Sequence, residues 1–83
     1  MQRGSVVRSL SGRDQNELLA VTDADERYVY VCNGKARPLH NPKRKNPRHI
    51  EPLERSLSED QMRSDKSLRK ALAIIKNDMN NRR

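Results

Sequence analysis

Between Gly4 and Pro52 the chain is punctuated so often by turn-forming residues that no apolar run exceeds the length of a strand. Gly4 precedes Ser5–Ser9, which carries Val6 and Val7. A turn cluster follows, made of Ser11, Gly12, Arg13, Asp14, Gln15 and Asn16, and then a short apolar run within residues 17–22. Residues 23–26 form a polar turn, and residues 28–32 alternate tyrosine with valine, a composition suited to a pleated, half-buried surface. Asn33-Gly34 is the preferred pair for a two-residue hairpin turn, which predicts a return strand over residues 35–39. Pro42 and Pro47 then break any long helix or central strand, and residues 49–53 supply a last short strand. About five short strands at close spacing predict a mainly β chain folded as a small barrel, because closure removes exposed edges.

The periodicity changes after Leu53. Residues 54–63 are polar and of mixed charge and read as a linker, with Ser58 and Gln61 spaced as a capping box for one helical turn. Ser64 is a predicted helix N-cap, and Asp65 sits in the first turn, where the helix dipole favours a carboxylate. Leu68, Ala71, Leu72, Ile75 and Met79 recur at three- and four-residue steps, which predicts an amphipathic helix over residues 64–80. Lys66, Arg69, Lys70 and Lys76 occupy its other sides, and the asparagine-rich residues 77–81 should fray. The organisation is therefore a barrel over residues 1–53, a linker and one C-terminal helix, a single domain in a chain of 83 residues. Val29 and Val31 belong to the barrel interior. Tyr28 and Tyr30 lie on the opposite strand face; in a chain without Phe or Trp they are assigned to covering the core or supporting the helix, ahead of stacking on bases.

Charge narrows the function. Eighteen Lys and Arg against eleven Asp and Glu give +7, a balance that favours polyanionic partners. Six of the cations, Lys35, Arg37, Lys43, Arg44, Lys45 and Arg48, fall within residues 35–49, a window that contains no acid. Cations crowded in this way repel one another until phosphates relieve them, and arginine can grip phosphate or guanine with two parallel hydrogen bonds. A solvated loop that serves solubility is the plainer reading, and the length of the acid-free window weighs against it. Six phosphate contacts would imply roughly a thousandfold loss of affinity between 50 and 200 mM salt. Membrane is disfavoured: the apolar runs are too short to span, the N-terminus lacks the apolar core of a signal peptide, and the helix stripe has no aromatic anchor. Cytosolic residence and a monomer are expected, and the single Cys32 fits a reducing compartment. Cys32, His40 and His49 are too far apart in sequence to suggest zinc or a nucleophilic pair, so neither catalysis nor a metal or other cofactor is expected.

Two segments carry a resemblance to a known family. Gly4-Ser-Val-Val-Arg-Ser9, followed by Ser11-Gly12-Arg13-Asp14, resembles the opening of a KOW motif. Val31-Cys-Asn-Gly34-Lys35-Ala-Arg37-Pro-Leu39, with Asn41-Pro42-Lys43-Arg44-Lys45-Asn46-Pro-Arg48-His49 after it, is similar to bacterial KOW-domain RNA-binding proteins. These are relatives of the archaeal and eukaryotic large-subunit ribosomal protein numbered fourteen. The resemblance covers residues 4–53, and it implies an SH3-like barrel that contacts structured RNA through loops. It further implies a ribosomal or ribosome-associated, non-enzymatic protein that binds large-subunit rRNA, with ribosomal proteins as further partners. Carried over by position, the turn of Gly12, Arg13 and Asp14 would approach the RNA backbone, and Arg37, Lys43, Lys45 and His49 would join the RNA-facing surface. Asn16 stands where the motif usually has a second glycine; asparagine tolerates a left-handed backbone, so the turn survives. The alternative is a protein-interaction KOW module of a transcription or translation complex.

Overall fold

The computed structural model describes residues 1–80. Five strands, β1 (Ser5–Ser9), β2 (Leu18–Ala24), β3 (Val29–Cys32), β4 (Lys43–Lys45) and β5 (Ile50–Ser56), precede one helix, α1 (Asp65–Asn80). The strands form a single sheet in the order β4-β3-β2-β1-β5, antiparallel at every pairing. β1 to β4 run as an up-and-down meander and β5 returns beside β1. The fold is mainly β with a C-terminal helix, an SH3-like arrangement. The sheet does not close by hydrogen bonding, in contrast to the closed barrel expected from the strand spacing. β4 and β5 remain its two edges, joined through the 3₁₀ turn Pro47–His49. Pro52 is tolerated in β5 because that strand is an edge.

Strand alternation divides the apolar residues into two cores. Val7, Leu19, Val21, Val29, Val31 and Ile50 fill the inner side of the curved sheet. Val6, Ala20 and Cys32 point to the other side, where Leu57, Met62 and the helix residues Leu68, Ala71, Leu72 and Ile75 cover them. Each buried Val, Leu, Ile or Met side chain contributes about 1.5–3 kcal/mol, so a chain lacking Phe and Trp gains by burying both sheet faces. A bulge at Thr22 shifts the β2–β3 register, pairing Val21 with Val31 but Asp23 with Tyr30.

The helix begins where the sequence predicts. The Ser67 amide donates to Ser64 Oγ at 3.1 Å and the Ser64 amide to Ser67 Oγ at 3.2 Å, a reciprocal cap. The apolar face ends at Ile75, and Met79 is exposed. The helix extends to Asn80, through most of the segment expected to fray, and Asn81 lies outside the described residues. Residues 54–63 are not a free linker. β5 extends through Ser56, and Leu57 and Met62 are core residues. Between them the Ser58 amide donates to Gln61 Oε1 at 2.8 Å and the Gln61 amide to Ser58 Oγ at 3.2 Å, the expected capping box.

The largest departure lies after β3. Residues 35–39 are not a strand. The Asn33 side chain accepts the amides of Lys35 and Arg37 at 2.9 and 3.1 Å, and the amides of Asn33 and Gly34 both donate to the Arg37 carbonyl. Pro38 has no amide to give a ladder, and the Leu39 amide donates to Asp65 Oδ1 at 2.8 Å. The backbone groups a return strand would have used are thus committed to Asn33 and to the helix start. Gly34 (φ +79°) sits so close to α1 that a Cβ would lie 2.5 Å from the Asp65 carbonyl oxygen. The strand that pairs with β3 is instead the basic tripeptide Lys43–Lys45.

Candidate functional site

In an up-and-down meander the β1–β2 turn and the β3–β4 connection share one end of the sheet. β5 runs antiparallel to β1, so it starts at that end as well. The topology therefore gathers Arg13, Lys35, Arg37, Arg48 and His49 there, with Lys43 at the near end of β4. The Leu10 amide donates to the His49 carbonyl at 2.8 Å and ties the β1–β2 turn to the 3₁₀ turn. Asn46 caps that turn by accepting the Arg48 amide at 2.9 Å, which fixes the backbone from which Arg48 projects.

The β1–β2 turn is closed by the Asn16 amide to the Ser9 carbonyl at 2.8 Å and the Gln15 amide to the Gly12 carbonyl at 3.2 Å. Asn16 takes φ +73°, the left-handed conformation expected of it. Its side-chain oxygen accepts from Arg8 Nη1 at 3.1 Å, so the group that replaces glycine is folded back on the protein. Gly12 has φ +87°, and a Cβ there would make only ordinary contacts, 3.6 Å from Asp14 Oδ1 and 4.0 Å from Lys45 Nζ, so the turn geometry requires glycine there and the packing does not.

Lys45 does not belong to an exposed basic surface. β-strand alternation turns it inward, and it is 6% exposed. Its ammonium lies 2.9 Å from Asp14 Oδ1 and donates to Ser9 Oγ at 2.7 Å and to the Ser11 carbonyl at 3.0 Å. Asp14, 12% exposed at its side chain, also accepts the Ser9 hydroxyl at 2.8 Å. Burial pushes the Asp14 carboxyl upward. The hydrogen bonds from Lys45 and Ser9, with the charges of Lys45 and Lys43, outweigh it and leave the pKa below the ordinary 3.8. Asp14 Oδ2 is buried without a hydrogen-bond partner among the described residues. Asp14 and Lys45 thus latch the β1–β2 turn to edge strand β4 and neutralise each other.

The remaining cations of the window are held differently. Among the described residues Arg3, Arg8, Arg55 and Arg63 pair with Glu59, Glu51, Asp78 and Asp60. Among the described residues Arg13, Lys35, Arg37, Lys43, Arg44 and Arg48 have no carboxylate within ion-pair distance. Lys35 does not extend from a strand but lines a groove of about 260 Å³ with Arg69 and Lys76 of α1 over Leu18 and Leu72. Arg69 also donates to the Gly34 carbonyl at 2.7 Å. The proximity of two helix cations to Lys35 was not legible from spacing, since it depends on how α1 docks. Cys32 is fully buried, and burial, followed by the charge of Asp65, pushes its thiol up to about 11. His40 and His49 are exposed.

The tyrosines depart from expectation. Neither joins either core cluster or supports the helix. Both are half-buried on the outer sheet face, with the Arg44 guanidinium carbon 4.4 Å from the Tyr28 ring centroid.

No protein-family model matches the chain, and no curated protein matches it. No helix among the described residues is long and apolar enough to cross a membrane.

Proposed function

We propose that this chain is a non-enzymatic RNA-binding protein, ribosomal or ribosome-associated, that grips large-subunit rRNA with the basic end of its sheet. The observation that carries the reading is the distribution of ion pairs. Among the described residues Arg3, Arg8, Arg55 and Arg63 are matched with surface carboxylates and Lys45 with Asp14. Arg27, Arg44 and the helix cations Lys66, Arg69, Lys70 and Lys76 stand outside these pairs, and the topology gathers five more unmatched cations, Arg13, Lys35, Arg37, Lys43 and Arg48, at one end of the sheet. Unmatched cations at one end of a small fold have a polyanion as their natural counterpart, and fixed turns hold them in register for phosphates. The sequence resemblance to KOW-domain proteins supports the same assignment, with Gly12 and Arg13 at the turn that meets the backbone. Lys45 and Asp14 act in this scheme as the latch behind the surface, and His49 stands at its rim. Recognition rests on backbone shape and charge more than on sequence, and the protein works in the cytoplasm.

The test is sedimentation of cell lysate through sucrose gradients at low and high salt. Migration with the large subunit, lost at high salt and after nuclease treatment, is expected. Residence at the top of the gradient at both salts would refute the reading. Co-purification with a protein complex that survives nuclease would instead identify a protein-interaction module.

A further inference from the structure

The chain has only two aromatic side chains, and the fold spends neither on its cores. Tyr28 and Tyr30 project from the outer face of the sheet, toward the end opposite the β1–β2 turn. Arg44, the cross-strand partner of Tyr30, also lies over the Tyr28 ring. These three side chains and the turn residues Asp25, Glu26 and Arg27 line one shallow depression. The acidic rim is firmly placed. Asp25 Oδ1 accepts the amides of Arg27 and Tyr28 at 2.8 and 2.7 Å, and the Tyr30 hydroxyl donates to Asp25 Oδ2 at 3.3 Å.

We propose that this depression is a stacking subsite for an unpaired RNA nucleobase. The inference rests on the RNA-binding reading above and extends it from phosphates to a base. A base offers a flat π-face to the tyrosines and the guanidinium, and it needs no particular sequence to stack. The cation over Tyr28 orients the ring and leaves Tyr30 as the neighbouring platform. The carboxylates of Asp25 and Glu26 repel phosphate but accept hydrogen bonds from exocyclic amino groups, so an amino-bearing base is favoured over uracil. The sugar-phosphate backbone would then run along β4 toward Lys43 and the unpaired cations at the other end. Three strand residues separate the two ends, about 10 Å at strand rise, a span that one RNA segment bridges.

Because the chain contains no tryptophan, its intrinsic emission comes from Tyr28 and Tyr30 alone. The experiment titrates the full chain, at low salt, with a labelled twelve-nucleotide oligocytidylate and with an abasic oligomer of equal length and charge. Tyrosine emission and label anisotropy are read together. The expected result is that both oligomers bind and only the base-bearing one quenches. Tyr30→Leu weakens the oligocytidylate by about 5- to 150-fold, the range that stacking of one base supplies, and leaves the abasic oligomer unchanged. Tyr30→Phe, which keeps the ring, retains binding and guards against a folding defect. Equal binding of both oligomers without quenching would overturn the stacking subsite and leave the RNA-binding reading standing. Failure of both to bind would overturn the two together. Quenching by a poly-L-proline decamer but not by oligocytidylate would reassign the depression to a peptide.

Discussion

Replacing Lys45 with methionine should be among the most destabilising single changes this chain can suffer. The substitution keeps the bulk of the side chain and removes only its charge. It withdraws the ammonium from Asp14 Oδ1, Ser9 Oγ and the Ser11 carbonyl, and it leaves Asp14 ionised with the Ser9 hydroxyl as its remaining partner. Asp14 Oδ2 already lacks one. Stranding one member of a buried pair costs about 3–5 kcal/mol. A chain of this length has roughly 4–12 kcal/mol of total stability at the usual 0.05–0.15 per residue, so the loss is a large share of it. The cost depends on pH in a definite sense. The folded-state pKa of Asp14 is depressed, so its contribution is present above 3.8 and is lost as pH falls below that value. In Lys45→Met the contribution is already gone, and the gap between the two proteins should narrow in acid. Urea unfolding followed by far-ultraviolet circular dichroism measures both effects. Adding Asp14→Ala should recover part of the loss, since the stranded charge is removed with it. A cost for Lys45→Met below about 1 kcal/mol, as for an exposed pair, would refute the latch.

Other consequences are simpler to check. Gly34→Ala should destabilise by at least about 1 kcal/mol and loosen α1, because the new methyl meets the Asp65 carbonyl oxygen in a left-handed backbone; hydrogen exchange in α1 reports it. Gly12→Ala, whose Cβ meets nothing nearer than Asp14 Oδ1 at 3.6 Å, should cost only the backbone strain of about 1–2 kcal/mol and leave α1 exchange unchanged. Cys32 should resist thiol reagents in the native protein at neutral pH and react on unfolding, as timed labelling will show. Its raised pKa makes its contribution to stability complete below pH 9.0, with loss as pH rises toward about 11; unfolding midpoints across that range should fall accordingly.

The sheet was legible wherever a local signal was also the global one. Alternating Val and Tyr in β3, the Ser64 cap and the three-and-four spacing of Leu68, Ala71, Leu72 and Ile75 each announced its element. The failures share one cause, long-range partners that overrode local preference. Asn33-Gly34 favours a tight hairpin, yet Asp65 and Arg69, more than thirty residues later, engage the loop and hold it as a wider turn. Lys43–Lys45 has no strand propensity to speak of and pairs because β3 offers an open edge. Lys45 looks like any other surface cation in sequence. Its burial follows from strand alternation together with a carboxylate thirty-one positions earlier, and neither can be read from composition. Scarcity of aromatics favours covering the core or supporting the helix as the role of the tyrosines, whereas aliphatic residues and Cys32 already fill the cores on both sheet faces.

The most direct test of the account is the salt dependence of binding to purified large-subunit rRNA, measured for the wild type and for charge-neutral variants. Lys43→Gln and Arg48→Gln remove unpaired cations from the basic end, and Arg63→Gln removes one already paired with Asp60. The account predicts that log K falls linearly with log salt and that the slope is shallower by about 0.7–0.9 for each of the first two variants. Arg63→Gln should leave the slope unchanged. Equal slopes for all four proteins, or binding that does not respond to salt, would contradict it.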